Sequence, residues 1–297
     1  MNSATDVNFA TDVNFATDMN FSTDVVAAAD FIRSKWPNRP RLGIILGTGS
    51  GGVAERLEID QSIDYDQIPG FVRSTATGHK GRVICGRLGL IDTIAMQGRF
   101  HLYEGWTVEQ MVFPTRMMIA LGIDALVVTN AAGGVDPKMN QGDLILLESH
   151  IDLLSYWHGS RPFQIDPMVQ RPTTRADRAY DCRWRQLAQS VADENQITAR
   201  SGVYVALHGP NYETRAEYRM IRKIGGDVVG MSTVPEVSIA SLHQVPVLAI
   251  SIVTNVAKPD ALTETSGEEV VHAAKDVEPA LLKIIHQSTH QFFGLKA

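Results

Sequence analysis

Two segments of the chain gather the residue types that bind anions and respond to developing charge. In Gly47-Thr48-Gly49-Ser50-Gly51-Gly52, small residues directly follow a short apolar run. The backbone amides of such a strand-to-helix turn could cradle an anion beside a hydroxyl donor. The loop lacks the Gly-Lys-Ser/Thr ending of a Walker motif, and its third glycine misses the dinucleotide spacing. The second segment, Gln97 to Gly105, follows the apolar run Leu90 to Met96 and packs Arg99, His101, Tyr103 and Glu104 into six positions. Read as extended chain, it alternates its faces, so Arg99, His101 and Tyr103 point to one side. A guanidinium with two further donors suits a phosphate or a sugar hydroxyl. Each segment also has an ordinary structural use, as a tight turn or a polar strand end; three donors on one face favour the functional reading.

The elements that would position these groups read as α/β. Short apolar runs at Leu42 to Leu46, Ala125 to Val128, Leu144 to Leu147 and Val247 to Ile250 have the β-branched character of buried strands. Amphipathic stretches lie between them. Thr107 and Gln110 form a capping box before one helix, which Gly122 stops and which Pro114 should kink or delay. Further helices are expected over Arg175 to Asn195, Thr214 to Ile224 and onward from Ser266, with Glu269 as its capping partner. Trp157 to Arg175, rich in Pro and Arg, reads as a long surface loop.

Ahead of this pattern, residues 4 to 21 repeat Ala-Thr-Asp-Val-Asn-Phe three times, with Met19 in place of the last Val. That unit supports neither a helical nor a strand stripe, so residues 1–24 are expected to be a disordered tail and residues 25–297 one domain. With 44% hydrophobic and 20% charged residues, the rest has enough apolar content for a full core. A net charge of -6 argues against a nucleic-acid surface. No apolar run reaches the roughly 20 residues that span a bilayer. Two cysteines, Cys85 and Cys182, make neither a disulfide framework nor a metal site, and the first basic residue is Arg33. Together these point to a cytoplasmic protein without a bound metal.

Six ordered blocks then carry a resemblance. They are Gly78-His79-Lys80-Gly81, Gln97 to Gly105, Thr129-Asn130-Ala131-Ala132-Gly133-Gly134, His208-Gly209-Pro210-Asn211-Tyr212-Glu213-Thr214, Gly230-Met231-Ser232-Thr233-Val234-Pro235-Glu236, and Thr254-Asn255. From about Arg41 to about His290 the chain resembles the trimeric purine nucleoside phosphorylases. The resemblance implies a single domain with a central mixed β-sheet, partly barrel-like and flanked by helices. It implies a homotrimer, with inorganic phosphate as co-substrate and no cofactor. It places the phosphate among Thr48, His79, Arg99, His101, the Ala131 amide and Ser232. Glu213 and Asn255 would recognise the base, Tyr212 would pack against it, and Tyr103 and Met231 would line the ribose. His101, Glu213 and Asn255 are thus the catalytic candidates, and the implied substrates are 6-oxopurine nucleosides such as inosine and guanosine.

Singly, these residues have plain alternatives: Glu213 could cap a helix, Asn255 could follow a strand in a turn, and Met231 could be core. The chain also departs from the family pattern. Gly267 stands where the family has a His for the ribose 5′-hydroxyl, and Thr48 replaces the usual Ser. Phe163 and Trp157 are both candidates for the family's Phe over the neighbouring subunit's ribose. Readings left open are a phosphorylase for xanthosine or 5′-modified nucleosides, a non-catalytic purine-binding protein, and a dinucleotide-dependent dehydrogenase built on the glycine loop.

Overall fold

The computed structural model describes residues 21–76, 78–154, 179–257 and 266–295. Most of the repeat tail, the Trp157 to Arg175 loop with both of its aromatic candidates, and the start of the helix expected from Arg175 lie outside them. The first helix, α1 (Thr23–Lys35), opens two residues inside the segment read as tail. Val25, Ala28, Ala29 and Ile32 form its buried stripe, the spacing of an amphipathic helix.

A nine-stranded mixed sheet organises the chain. Its strands are β1 (Leu42–Leu46), β2 (Glu58–Asp64), β3 (Arg82–Leu88), β4 (Ile91–Gln97), β5 (Ala125–Gly134), β6 (Leu144–Asp152), β7 (Ala199–Ala206), β8 (Val228–Gly230) and β9 (Val247–Val256). They run in the order β2-β3-β4-β1-β5-β8-β7-β6-β9, and β9 pairs back onto β5, so five strands close into a barrel while four extend from it. The hinge is β5. Its first half lies parallel between β1 and β9; β1 stops pairing at Val128, and Gly133 and Gly134 turn to β8 instead. Between those two partners one edge of β5, from Thr129 to Ala132, is left unpaired on the side that carries the site.

Helices cover both faces. On one side α1 packs against α2 (Val108–Leu121), and α2 against α5 (Val234–Leu242). On the other, α3 (Cys182–Glu194) packs against α7 (Glu278–Phe292), where the Trp184 and Phe292 rings stack with centroids 4.5 Å apart. α4 (Arg215–Lys223) and α6 (Gly267–Asp276) complete the set. The Thr107 and Ser266 capping boxes form as expected, and Gly122 ends α2 at φ 93°. Pro114 does not delay α2, which starts at Val108 and runs through it. α3 is shorter than the helix expected from Arg175: Ala179 and Tyr180 are bends, and Asp181 caps the helix by accepting from Trp184 N. The helix expected onward from Ser266 is two, divided at Val277.

The glycine loop leads into a short 3-10 turn, Gly51–Arg56, and then into the hairpin strand β2. It therefore does not open the long helix of a parallel βαβ unit that dinucleotide binding requires. Among the described residues no helix is long and apolar enough to cross a membrane.

Candidate active site

Loops leaving the C-terminal ends of β1, β4, β7 and β8 meet the second halves of β5 and β9 and the start of α6 around one cavity of about 290 Å³. That volume suits a small organic ligand. Thr48, Arg99, His101, Tyr103, Ala131, Tyr212, Glu213, Met231, Ser232 and Asn255 all border it. His79 stands just behind, reaching Thr48 Oγ1 with its Nε2 at 3.4 Å and stacking on His101 with centroids 5.3 Å apart.

Chain geometry brings the loops this close. A side chain at Gly47 would meet the Thr129 carbonyl at 2.8 Å, and one at Gly49, where φ is +78°, would meet Ala274 Cβ at 2.1 Å. Only glycine permits β1 to pass β5 and α6 to rest on the Thr48 loop. The Arg99 segment is not the extended strand read from sequence. β4 ends at Gln97, Gly98 turns at φ +120°, and Leu102–Glu104 is a 3-10 turn. The turn still brings the His101 and Tyr103 rings to one side, stacked 4.7 Å apart. His79, His101 and Tyr103 thus form one column of rings beside the cavity.

Arg99 is the buried cation at one end of the cavity, 2% exposed. Its Nη1 donates to Ser232 Oγ at 2.8 Å and Thr233 Oγ1 at 3.3 Å, and its Nη2 to the Thr129 carbonyl at 2.8 Å on the open edge of β5. Nε faces Glu236 Oε1 at 3.3 Å. Ser232 is aimed by a strained turn. Thr233 has φ 72° and ψ −54°, with Val234 N donating to the Ser232 carbonyl at 2.8 Å, a γ-turn that a β-branched residue adopts only under constraint. The Thr233 hydroxyl joins Arg99 to Asn130, whose Nδ2 donates to it at 2.9 Å.

Glu104 ties two loops together. Its carboxylate accepts from Thr75 N at 2.6 Å, Thr75 Oγ1 at 2.7 Å, His101 N at 2.9 Å and His101 Nδ1 at 2.9 Å. Burial would raise its pKa, but the bonds from His101 and Thr75 outweigh it and hold the carboxyl at about 2. Since a carboxylate only accepts, the His101 proton sits on Nδ1 and Nε2 is left for a ligand. His79 is pushed down to about 3, first by burial and then by His101 and Arg99, so it is neutral. Burial, then the Glu104 charge, lifts Tyr103 to about 12, so it remains a hydroxyl donor.

At the other end, Thr214 and not Glu213 caps α4, accepting from Glu217 N. Glu213 instead receives a hydrogen bond from the Tyr218 hydroxyl, and burial raises its pKa above the ordinary carboxylate value. Asn255 is not in a turn: it lies within β9 opposite Gly133. Thr254 Oγ1 donates to its Oδ1 at 3.4 Å, which leaves the Nδ2 donors for the cavity. Tyr212 is half-exposed at the rim, and Met231 packs on Gly209. Gly267 also borders the cavity, and a side chain there would meet no atom within 4 Å. His272, a turn further on, is exposed beside Asp276 and faces elsewhere.

Sequence reasoning gave no role to Glu104, Glu236, Thr233 or Tyr218. Two had a readable sign: Glu104 is three residues after His101 beside a glycine, and Glu236 is the one charge in Met231 to Leu242. Among the described residues no cluster of three or more His, Cys, Asp or Glu could hold a metal ion.

The model of the phosphorylase superfamily matches residues 41–289. Purine nucleoside phosphorylase 1 of Bacillus subtilis (strain 168) is 40% identical over 265 residues, 89% of this chain and 97% of that protein. The purine nucleoside phosphorylase of Rattus norvegicus is 40% identical over 83% of this chain and 87% of its own length. Among solved structures, Schistosoma mansoni purine nucleoside phosphorylase in complex with inosine gives a TM-score of 0.82 at 34% identity, covering 90% of this chain and 96% of that one. Isoform 2 from the same organism, in complex with cytosine and ribose-1-phosphate, also gives 0.82, at 35% identity over 89% and 95% of the two chains.

Proposed function

The chain belongs to the phosphorylase superfamily as one of its purine nucleoside phosphorylases, and on that premise we propose that it cleaves 6-oxopurine ribonucleosides and deoxyribonucleosides, inosine and guanosine among them, with inorganic phosphate. The observation that carries the reading is a single cavity with a buried guanidinium and hydroxyls at one end and a carboxylate with an amide at the other.

Phosphate binds between Thr48, Arg99, His101, Ser232 and the Ala131 amide, with His79 behind them. Charge-assisted and hydroxyl donors converging from separate loops are what a tetrahedral anion requires. His101 Nε2 accepts a hydrogen bond from the hydroxyl of the entering phosphate dianion, whose proton ends on the departing base once the new ester has formed. As the glycosidic bond breaks, the ribose gains oxocarbenium character and electrons flow into the purine. Phosphate supports the cation from the opposite face of the ring and then bonds C1′, giving the inverted ribose 1-phosphate. Asn255 Nδ2 donates to purine N7 as negative charge grows there, an interaction stronger in the transition state than before it. Glu213 accepts from the purine N1–H, while Tyr212 packs on the base and Tyr103 and Met231 line the sugar. An adenine has no N1–H and would leave the carboxylate unpaired, which favours 6-oxopurines. No cofactor takes part.

Gly267 supports a second reading. Because a side chain there would point into open space, the 5′ end of the sugar has room, and 5′-modified nucleosides should be accepted as well. We take the enzyme to be a cytoplasmic homotrimer on family likeness, with both cysteines free.

Release of base from inosine, guanosine, xanthosine, adenosine and 5′-deoxyinosine, each with and without phosphate, tests these statements. Phosphate-dependent cleavage of inosine and guanosine, with adenosine slow and 5′-deoxyinosine near inosine, is expected. Cleavage without phosphate, or an adenosine preference, overturns the main reading; a strict need for the 5′-hydroxyl overturns the second. Light scattering of the purified protein reports whether it is a trimer.

A further inference from the structure

A guanidinium keeps its charge at any working pH, and that of Arg99 is buried. Four of its contacts are to neutral oxygens: the Thr129 and Ile45 carbonyls and the Ser232 and Thr233 hydroxyls. The negative charge opposite it is Glu236, 3.3 Å from Nε and 3% exposed, in the first turn of an otherwise uncharged α5. The pairing is not an aligned hydrogen bond, since Arg99 Nε and Glu236 Oε2 are both buried without a hydrogen-bond partner. A buried pair this poorly satisfied adds little to stability. Its effect falls on the charge presented to the cavity.

The segment that carries Glu236 also carries Ser232. The γ-turn at Thr233 couples Ser232 to the start of α5, so residues 232 to 236 grip Arg99 at Nη1 and at Nε from one short stretch of chain.

We propose that Glu236 tunes the charge at the anion end of the cavity: it offsets the buried Arg99 guanidinium, so that a phosphate dianion can enter and a sugar phosphate can leave. The proposal rests on the reading of Arg99 and Ser232 as phosphate ligands. Without Glu236 the same fork of donors would hold a dianion more tightly, because a full positive charge in a low-dielectric site would go unopposed until the anion arrived.

Titration calorimetry with inorganic phosphate, without nucleoside, on wild type, Glu236→Gln and Glu236→Asp tests this. Glu236→Gln should bind phosphate about tenfold more tightly than wild type. Its melting temperature should be lower without phosphate and rise more with it, because an anion now neutralises the buried guanidinium. Glu236→Asp, which keeps the charge but draws it back by one methylene, should fall between the two. Structural damage alone would weaken phosphate binding, so a folded Glu236→Gln protein that binds phosphate no more tightly than wild type overturns the role of Glu236. If Glu236→Gln does not fold, Glu236→Asp decides by the same sign: tighter binding supports the role, and equal or weaker binding overturns it. Wild type that takes up no phosphate overturns the phosphate site itself, a separate failure.

Discussion

Glu104→Gln removes one negative charge from a junction closed by four hydrogen bonds, two from Thr75 and two from His101. The side chain is 2% exposed, so solvent screens it little. A carboxyl that titrates at 4.5 in the open chain and at about 2 in the fold favours the native state. At about 1.4 kcal/mol for each pH unit, that contribution is about 3 kcal/mol at neutral pH. Because the folded pKa is the lower one, the stabilisation is complete above pH ~4.5 and is lost as pH falls from there toward 2. Gln keeps the shape and one acceptor oxygen but no charge. Urea denaturation of both proteins at one protein concentration, from pH 7 to pH 3, measures the difference. The gap should be about 2–3 kcal/mol and level between pH 7 and 5, then shrink by about 2 kcal/mol by pH 3. A gap below about 0.5 kcal/mol at pH 7, or one undiminished at pH 3, refutes the assignment of the charge to this junction.

Other perturbations reach the remaining groups. Asn255→Ala should lower kcat for inosine by about 100- to 1,000-fold in steady-state assays, as loss of a donor aimed at developing charge does; a near-normal rate would unseat the proposed role of the amide. Burial raises the Glu213 pKa, so the acid limb of kcat/KM for inosine should lie above the ordinary glutamate range, and Glu213→Gln should remove that limb. An unchanged limb in the Gln variant would assign it to another group. His79 titrates at about 3 in the fold against 6.5 in the open chain, so its proton favours the unfolded state. Stability should therefore decline as pH falls below about 6.5, by up to about 1.4 kcal/mol for each unit from this residue, and His79→Asn should decline less steeply. Equal slopes for the two proteins would contradict the burial of a neutral imidazole.

The sequence disclosed the parts of this site that depend on local chemistry. The capping boxes at Thr107 and Ser266 announced two helix starts because both partners lie within four residues. The β1 run Leu42 to Leu46 was readable because a central parallel strand is apolar on both faces. Strands β2, β3, β7 and β8 were not picked out: exposed polar residues fill β2, and β8 has only three residues. Barrel closure through β5 and β9 pairs residues more than a hundred positions apart, which no local period encodes. At the site, Arg99, His101 and Tyr103 were correctly expected to converge, but through a turn that Gly98 permits and not through strand alternation. Glu236 was passed over because its partner Arg99 becomes a neighbour only after folding, and of the partners of Glu104 only His101 is local, while Thr75 is brought in by the fold. The open space at Gly267 likewise exists only once α6 is packed beside the cavity, although the residue itself could be read in advance.

The central claim is that one cavity holds phosphate and a purine on opposite sides of a single sugar. A crystal structure of the protein soaked with phosphate and hypoxanthine measures this directly. The account predicts phosphate within hydrogen-bond reach of Arg99, His101 and Ser232, with the base between Glu213 and Asn255 and a sugar-sized gap between the two ligands. Phosphate bound away from Arg99, or a base seated without contact to either Glu213 or Asn255, would contradict it.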